Sequence, residues 1–310
     1  MKAIRIHRYG GPEVLQLDEV PVPVPADGEL LVRVKAAGVN PVDWKIREGR
    51  LAGIMAHRLP LTLGWDVAGV VEAVGASVTG FRPGDDIYAR PDASRDGCYA
   101  EYAVIRADEA AIKPPTISFI EAAGVPLAAL TAWKALFDEA GLKAGQRVLI
   151  HAGAGGVGGF GIQLAKHAGA HVIATASTDN LALLRLLGAD DVVDYTRENF
   201  IVRAPDVDVV FDTIGGETQD RSWACLRPGG VLVSVVSAPD PETAQQHRAR
   251  GALAVVEPNG ARLAELARLI DAGIVTVVID DVYPLDAARE AHAHSQTGHA
   301  RGKIVLHVAD

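Results

Sequence analysis

The sequence predicts an α/β protein in two parts, a mostly β unit and a doubly wound parallel sheet, and three observations carry that expectation. The first hundred residues are short apolar runs separated by glycine and proline turns. From residue 146 onward strand-like and helix-like runs alternate, the pattern that builds a parallel sheet from crossover units. Between the first strand and first helix of that second part lies a glycine-rich loop, residues 153–158. With 310 residues the chain is about twice the usual size of one domain, so two buried cores are expected.

Taken in order, strands are expected at 3–7, 29–37, 67–74, 86–89 and 99–105, with turns at Gly10-Gly11, 21–25, 80–84 and Asp96-Gly97. After Ile117 the texture changes. Ser118 followed by Glu121 has the spacing of a capping box, and 122–140 is rich in Ala and Leu at helical spacing, so the boundary between the parts is expected near there. Strands at 148–151, 171–176, 191–195, 207–212 and 231–236 then alternate with helices at 157–168, 180–187 and 218–225. Residues 261–271 form a further amphipathic helix, and 274–279 and 303–307 read as late strands around a helical 285–294.

Bulk properties exclude several classes. The 39 acidic against 30 basic side chains give a formal charge of -9, which repels polyphosphate backbones and makes nucleic acid an unsuitable partner. The only cysteines, Cys98 and Cys225, stand far apart and form neither a disulfide framework nor a metal knuckle, which suits a reducing cytoplasm. The first ten residues interleave charges with apolar residues and read as a strand rather than a targeting segment. Apolar runs such as 231–233 and 274–279 fall far short of the roughly 20 residues a membrane helix needs.

The loop sets Gly153, Gly155 and Gly158 at the three fingerprint positions directly after an apolar strand. Such spacing serves a tight turn, close approach of backbone to a pyrophosphate, and close packing of helix on strand. The helix that follows offers free amides to phosphates. Its Val157, Phe160, Leu164 and Ala168 recur at helical spacing, and Gly169 stops it before a second strand. That second strand ends Ala176-Ser177-Thr178, with no carboxylate where an NAD site places one for the ribose and with two hydroxyls able to donate to a 2′-phosphate. NADPH is therefore the expected cofactor, and the missing acid argues against an adenosylmethionine-binding methyltransferase. Asp179 reads as a first-turn residue complementing the helix dipole. No Lys or Arg stands in 177–184, so the charge of the phosphate must be met from elsewhere.

Several stretches together resemble one family. The runs 38–45 (GVNPVDWK), 63–71 (LGWDVAGVV), 81–86 (FRPGDD) and 97–102 (GCYAEY) are similar to the N-terminal domain of medium-chain dehydrogenase/reductases, nearest the zinc-independent quinone and enone oxidoreductases. The resemblance extends through 123–131, the glycine loop, Asp194-Tyr195-Thr196 and 298–305. It implies a GroES-like catalytic domain of residues 1–118 and 261–310, a Rossmann NADP-binding domain of residues 119–260, and a homodimer paired through the Rossmann domains. It also implies roles for individual residues. Lys45 resembles the lysine that contacts NADPH in enone reductases, and Ser177, Thr178 and Tyr195 stand at the 2′-phosphate end. Gly153, Gly155, Gly156, Val157 and Gly158 form the pyrophosphate loop. Val236, Ser237, Gly302 and Lys303 resemble segments flanking the nicotinamide.

Departures from the zinc branch matter equally. Where zinc alcohol dehydrogenases carry a Cys and a His-Glu pair, this chain has Asn40 and Trp65-Asp66, and a catalytic zinc needs three protein ligands with one open position. No metal is expected there. His292, His294 and His299 do not make a metal site either, since helical positions two apart face away from each other. His151 reads as a core histidine, and of Trp44 and Trp65 one is expected in the core. Without a Lewis acid the substrate must be electrophilic by itself, so hydride transfer to a quinone or an α,β-unsaturated carbonyl is the expected reaction. Asn40, Lys45 or a bound ribose hydroxyl is the expected donor to the developing oxyanion. The alternatives are a nucleotide-binding sensor or structural protein with little turnover, and a free-standing enoyl-thioester reductase.

Overall fold

In the computed structural model, which describes residues 1–55 and 57–309, the chain forms two compact units. One comprises Met1–Leu127, Glu257–Gly273 and Val277–Asp310, the other Ala128–Val256 and Ile274–Thr276.

The first unit is organised by the strand Glu29–Val39, 11 residues long and buried along most of its length. It runs antiparallel to Val67–Val74 on one edge. On the other edge Tyr102–Arg106 pairs with its first half and Lys303–His307 with its second. Side chains from this strand enter two cores: Leu30, Val32 and Val34 join Val67, Val71 and Ile87, while Ala37 and Val39 join Ile46, Trp65, Tyr99 and Leu306. Each of these large aliphatic side chains contributes about 1.5–3 kcal/mol by leaving water. The sheet has seven strands in all, and a separate three-stranded sheet joins Leu15–Glu19, Lys2–Ile6 and Leu61–Thr62. Helix Gly260–Asp271 lies against Ala110–Ile112; its first glycine is required there, since a Cβ would come within 2.3 Å of the Ala110 carbonyl.

The second unit is a six-stranded sheet in the order Asp191–Asp194, His171–Ala176, Arg147–Ile150, Val207–Asp212, Leu226–Ser234, Arg250–Leu253, every neighbouring pair parallel. Numbered along the chain this is 3-2-1-4-5-6, the Rossmann order, whose direction reverses between Arg147–Ile150 and Val207–Asp212. The ligand crevice of such sheets lies outside the carboxyl ends of the two strands at that switch. The fold class is the α/β arrangement expected, a GroES-like β unit with a Rossmann unit.

Several boundaries differ from expectation. The β-branched run 274–279 is not a strand: the side chain of Gln163 takes up the Thr276 backbone, accepting from its N–H at 2.8 Å and donating to its carbonyl at 3.0 Å. Chain pairing resumes only with Ile279–Pro284, parallel to Lys303–His307. The strand expected at 99–105 begins at Tyr102, because Gly97, Cys98 and Tyr99 bond backbone to Thr62, Gly64 and Leu63 instead. The helical stretch 122–140 is broken at Gly124 and Pro126 into Phe119–Ala123 and Pro126–Trp133, continuing as a π-helical turn Lys134–Glu139. The short helix Pro41–Arg47 and the edge strand Arg250–Leu253 carry too little periodicity to be read from sequence.

Candidate active site

In the first unit a chain of buried polar groups begins where Glu29–Val39 ends. Asn40 precedes the helix Pro41–Arg47, whose third residue, Asp43, reaches back to accept from the Asn40 N–H at 2.8 Å. The Asn40 side chain is held at both ends. Its Nδ2 donates to Asp66 Oδ2 at 2.8 Å, and its Oδ1 accepts from the Lys303 ammonium. Lys303 Nζ also lies 3.4 Å from Asp66 Oδ2, and the Leu127 N–H donates to the other oxygen of Asp66 at 2.6 Å. Both Asn40 and Lys303 are buried, and Asp66 is completely so. Burial pushes the Asp66 carboxyl up against the opposing pull of Lys303. With Oδ1 and one N–H engaged, Asn40 retains a single amide hydrogen for a ligand.

Asp43 forms a second buried link. Its Oδ2 also accepts from the Tyr99 hydroxyl at 2.7 Å, while Oδ1 has no partner among the described residues. Burial raises its pKa to about 7 despite these donors. Lys45, two residues further along the same helix, is half-buried, with its ammonium 5.7 Å from the centre of the Trp44 ring. Burial and the neighbouring Arg50 depress its pKa. Gly302 sets the path into Lys303: its φ of 99° is one that L side chains rarely adopt, and a Cβ would come within 2.3 Å of the Val278 carbonyl.

The zinc positions are filled in a way that does not fit a metal. Trp65 is buried with its indole donating to the Arg95 carbonyl at 3.1 Å. Asn40 Oδ1 and Asp66 Oδ2 both face the Lys303 ammonium, so one amide and one carboxylate meet a cation already present. Among the described residues no group of three His, Cys, Asp or Glu side chains could hold a metal ion. His292 is buried and accepts from Arg47 through Nδ1 at 3.1 Å, whereas His294 turns to Tyr283 and Asp280. Trp44 is the half-buried member of the tryptophan pair, its indole 3.2 Å from the Ser295 hydroxyl.

In the second unit the glycine loop joins Arg147–Ile150 to the helix Gly156–His167. The first of the three glycines does different work from that expected. The left-handed turn residue is Ala152, with φ 47°, rather than Gly153. Gly153 instead lets the loop pack: a Cβ there would meet Ile162, Ala174 and Leu184 at 2.9–3.2 Å. At Gly158 a Cβ would come within 2.3 Å of the Ala152 carbonyl, so only glycine lets helix and turn approach. Gly155 alone is open, its nearest neighbour the Ala152 carbonyl at 3.3 Å. The helix start has no side-chain cap, which leaves the amides of Gly156, Val157 and Gly158 without helical acceptors. An uncapped helix start beside an open glycine suits a pyrophosphate.

At the end of His171–Ala176, Ser177 is half-buried and accepts from Asn180 at 3.1 Å. Thr178 is exposed, and its hydroxyl donates to Asp194 Oδ2 at 2.5 Å, so it is engaged by a carboxylate on the neighbouring strand. Hydrogen bonds from Thr178 and Thr196 hold that carboxyl below its usual range. Tyr195 is 54% exposed and bonds through its N–H to the Ala176 carbonyl. Val236 and Ser237 follow Leu226–Ser234, both amides donating to the Ser234 hydroxyl at 3.1 and 3.3 Å. That hydroxyl is fixed in turn by Asp212, which also binds the amides of Ile214 and Gly215 and the side chain of Gln219. Asp212 thus ties together the loops at the carboxyl ends of two strands. A lone acid closing an apolar strand was its only signal in sequence.

His151 is a core histidine, both ring nitrogens bonded, to Thr175 at 3.2 Å and Ser222 at 2.9 Å. Burial lowers its pKa to about 4.

Comparison with known proteins agrees with this architecture. Residues 26–116 match the alcohol dehydrogenase GroES-like domain and residues 187–306 the zinc-binding dehydrogenase domain. The chain is 38% identical to tomato (Solanum lycopersicum) 2-methylene-furan-3-one reductase and 39% identical to the Arabidopsis thaliana chloroplastic NADPH-dependent alkenal/one oxidoreductase, in each case over 99% of this chain and 79% of the relative. The solved quinone oxidoreductase of Coxiella burnetii superposes with a TM-score of 0.91 at 37% identity, covering 99% of both chains. The fold and site define a medium-chain dehydrogenase/reductase. Within that superfamily the chain belongs to the quinone and enone oxidoreductase family.

Proposed function

We propose that the protein is an NADPH-dependent oxidoreductase that reduces α,β-unsaturated carbonyls or quinones without a metal. The observation that carries this is the Asn40–Asp66–Lys303 network, which puts an amide, a carboxylate and an ammonium where zinc relatives hold their ion. The relatives' names, alkenal/one and 2-methylene-furan-3-one reductase and quinone oxidoreductase, support the same class of acceptor.

When bound, NADPH supplies the hydride. The loop of Gly153, Gly155, Gly156, Val157 and Gly158 holds the pyrophosphate through its free amides, and Ser177, Thr178 and Tyr195 border the 2′-phosphate. In the Rossmann unit Val236 and Ser237 would border the nicotinamide end, and in the GroES-like unit Lys45, Gly302 and Lys303 are the residues that would serve the cofactor. Asn40, its amide plane fixed by Asp66 and Lys303, donates its remaining N–H to the substrate oxygen as charge builds there. A preorganised donor of this kind does not have to reorient during reaction. Lys45, its ammonium partly desolvated, adds positive potential, and the last proton comes from water. We further propose that the enzyme works as a cytoplasmic homodimer; among the described residues no helix is long and apolar enough to cross a membrane.

The test is to follow NADPH oxidation by the purified protein with 1,2-naphthoquinone, 9,10-phenanthrenequinone and alkyl vinyl ketones. Turnover with at least one of these classes is expected. Tight NADPH binding with no acceptor reduced would instead make the protein a nucleotide sensor.

A further inference from the structure

We propose that Arg90 binds the carbonyl oxygen of the substrate and stabilises the charge that develops there, a role that rests on the reading of the protein as a reductase of activated double bonds. Arg90 directly follows the strand Asp86–Ala89, in which Ala89 pairs with Val67. Continuing that antiparallel register by one residue sets Arg90 opposite Asp66, the carboxylate that holds Asn40.

Its environment is unusual for an arginine. The side chain is only 8% exposed, and Nε is fully buried without a hydrogen-bond partner. Among the described residues no carboxylate lies within ion-pair distance of the guanidinium, and none accepts a hydrogen bond from it. Other buried cations of this unit are engaged: Lys303 by Asn40 and Asp66, Arg47 by His292, Glu48, Gln296 and Gly10, Lys113 by the carbonyls of Pro114 and Ile117. A largely buried guanidinium whose Nε has no acceptor is costly to keep, and its terminal N–H groups stay available to a ligand that brings an acceptor.

The surroundings also say what kind of ligand. Burial lowers the pKa of Arg90, and Asp66, Asp92, Glu109 and Asp43 oppose it from beyond contact distance. Each is already bonded, Asp66 to Lys303, Asp92 to Ser94 and Arg106, Glu109 to the amides of Arg106 and Asp92, and Asp43 to the Asn40 amide and the Tyr99 hydroxyl. Together they offset part of the cost of burying the guanidinium, without using its N–H groups. Such a site suits a neutral oxygen acceptor rather than a free anion. A conjugated carbonyl is neutral on arrival. When hydride adds to the β-carbon, the C=C electron pair shifts to form the enolate, whose oxygen takes the negative charge. Arg90 donates hydrogen bonds to that oxygen and remains protonated, and water later protonates the α-carbon. With a quinone the same shift leaves a hydroquinone monoanion.

The experiment compares the wild-type chain with Arg90→Gln and Arg90→Lys. An enolate is more basic than a hydroquinone anion, so it depends more on the donor. Arg90→Gln is expected to lower kcat about 100-fold with ethyl vinyl ketone and by a smaller factor with 1,2-naphthoquinone, NADPH affinity and melting temperature being unchanged. Arg90→Lys should recover part of the loss. A second readout needs no turnover: 4-nitrophenol, bound in the presence of NADP, should absorb as the phenolate at lower pH on wild type than on Arg90→Gln. Equal kcat in wild type and Arg90→Gln, or equal nitrophenol titrations, overturns the assignment, whichever acceptor is used. If wild type reduces no acceptor, the proposed reaction fails while the nitrophenol titration still decides the role of Arg90. Should Arg90→Gln fail to fold, Arg90→Lys carries the same comparison.

Discussion

Lys303 Nζ and Asp66 Oδ2 lie 3.4 Å apart in the interior of the GroES-like unit, and Asn40 bridges them through both ends of its amide. Removing one member of a buried pair strands the other, at a cost of about 3–5 kcal/mol. Lys303→Met is therefore expected to lower stability by about that amount, read by chemical denaturation. Combining it with Asp66→Asn should cost less than the sum of the two single changes, because the double variant leaves no uncompensated charge.

The glycine loop allows its folding role and its binding role to be separated. Gly158→Ala meets the Ala152 carbonyl at 2.3 Å and should lower the melting temperature markedly. Gly155→Ala meets only that carbonyl at 3.3 Å, so its stability should change by less than about 1 kcal/mol. If a phosphate approaches there, NADPH affinity should nonetheless fall about tenfold, or about 1.4 kcal/mol, measured by fluorescence titration.

Asp43 makes a prediction about pH. Its pKa is near 7 in the folded chain against 3.8 for the free side chain, so the folded state binds the proton more tightly than the unfolded state. The stabilisation this provides is fully present below pH 3.8 and is lost as pH rises through about 7. Asp43→Asn cannot ionise and escapes that loss. Relative to wild type it should gain about 2–3 kcal/mol between pH 5 and pH 9, with unfolding free energies measured at both. An unchanged difference would show that Asp43 ionises normally.

Cofactor preference should turn on Ser177. A carboxylate at this strand end bonds ribose hydroxyls and repels a 2′-phosphate, so Ser177→Asp is expected to lower the ratio of kcat/KM for NADPH over NADH at least tenfold. Thr178→Val tests a different point. The hydroxyl binds Asp194, so its loss should alter the loop around Asp194 and Thr196 as well as NADPH binding.

These variants also mark where the sequence was legible. Strand–helix alternation and the glycine spacing were sufficient for the Rossmann sheet, because period and punctuation are local properties. Asn40 and Lys303 could be singled out by motif, yet nothing local links residues 40, 66 and 303; they meet because Lys303–His307 and Val67–Val74 pair with opposite edges of Glu29–Val39. The same holds for Arg90, an ordinary basic residue after an apolar strand until the register sets it opposite Asp66. Thr178 shows the converse. Its hydroxyl reads as a donor, but its acceptor in the structure, Asp194, lies on the neighbouring strand, in register with Ala176. The run 274–279 misled because β-branched residues signal an extended backbone without saying what satisfies its hydrogen bonds, here the side chain of Gln163.

The most direct test of the account is isotopic. The protein, supplied with NADPH deuterated at the nicotinamide C4 position and a 2-alkenal, is expected to give a saturated aldehyde carrying deuterium at the β-carbon, located by NMR. Deuterium at the former carbonyl carbon of an allylic alcohol would show that the enzyme reduces carbonyls directly and would contradict the account.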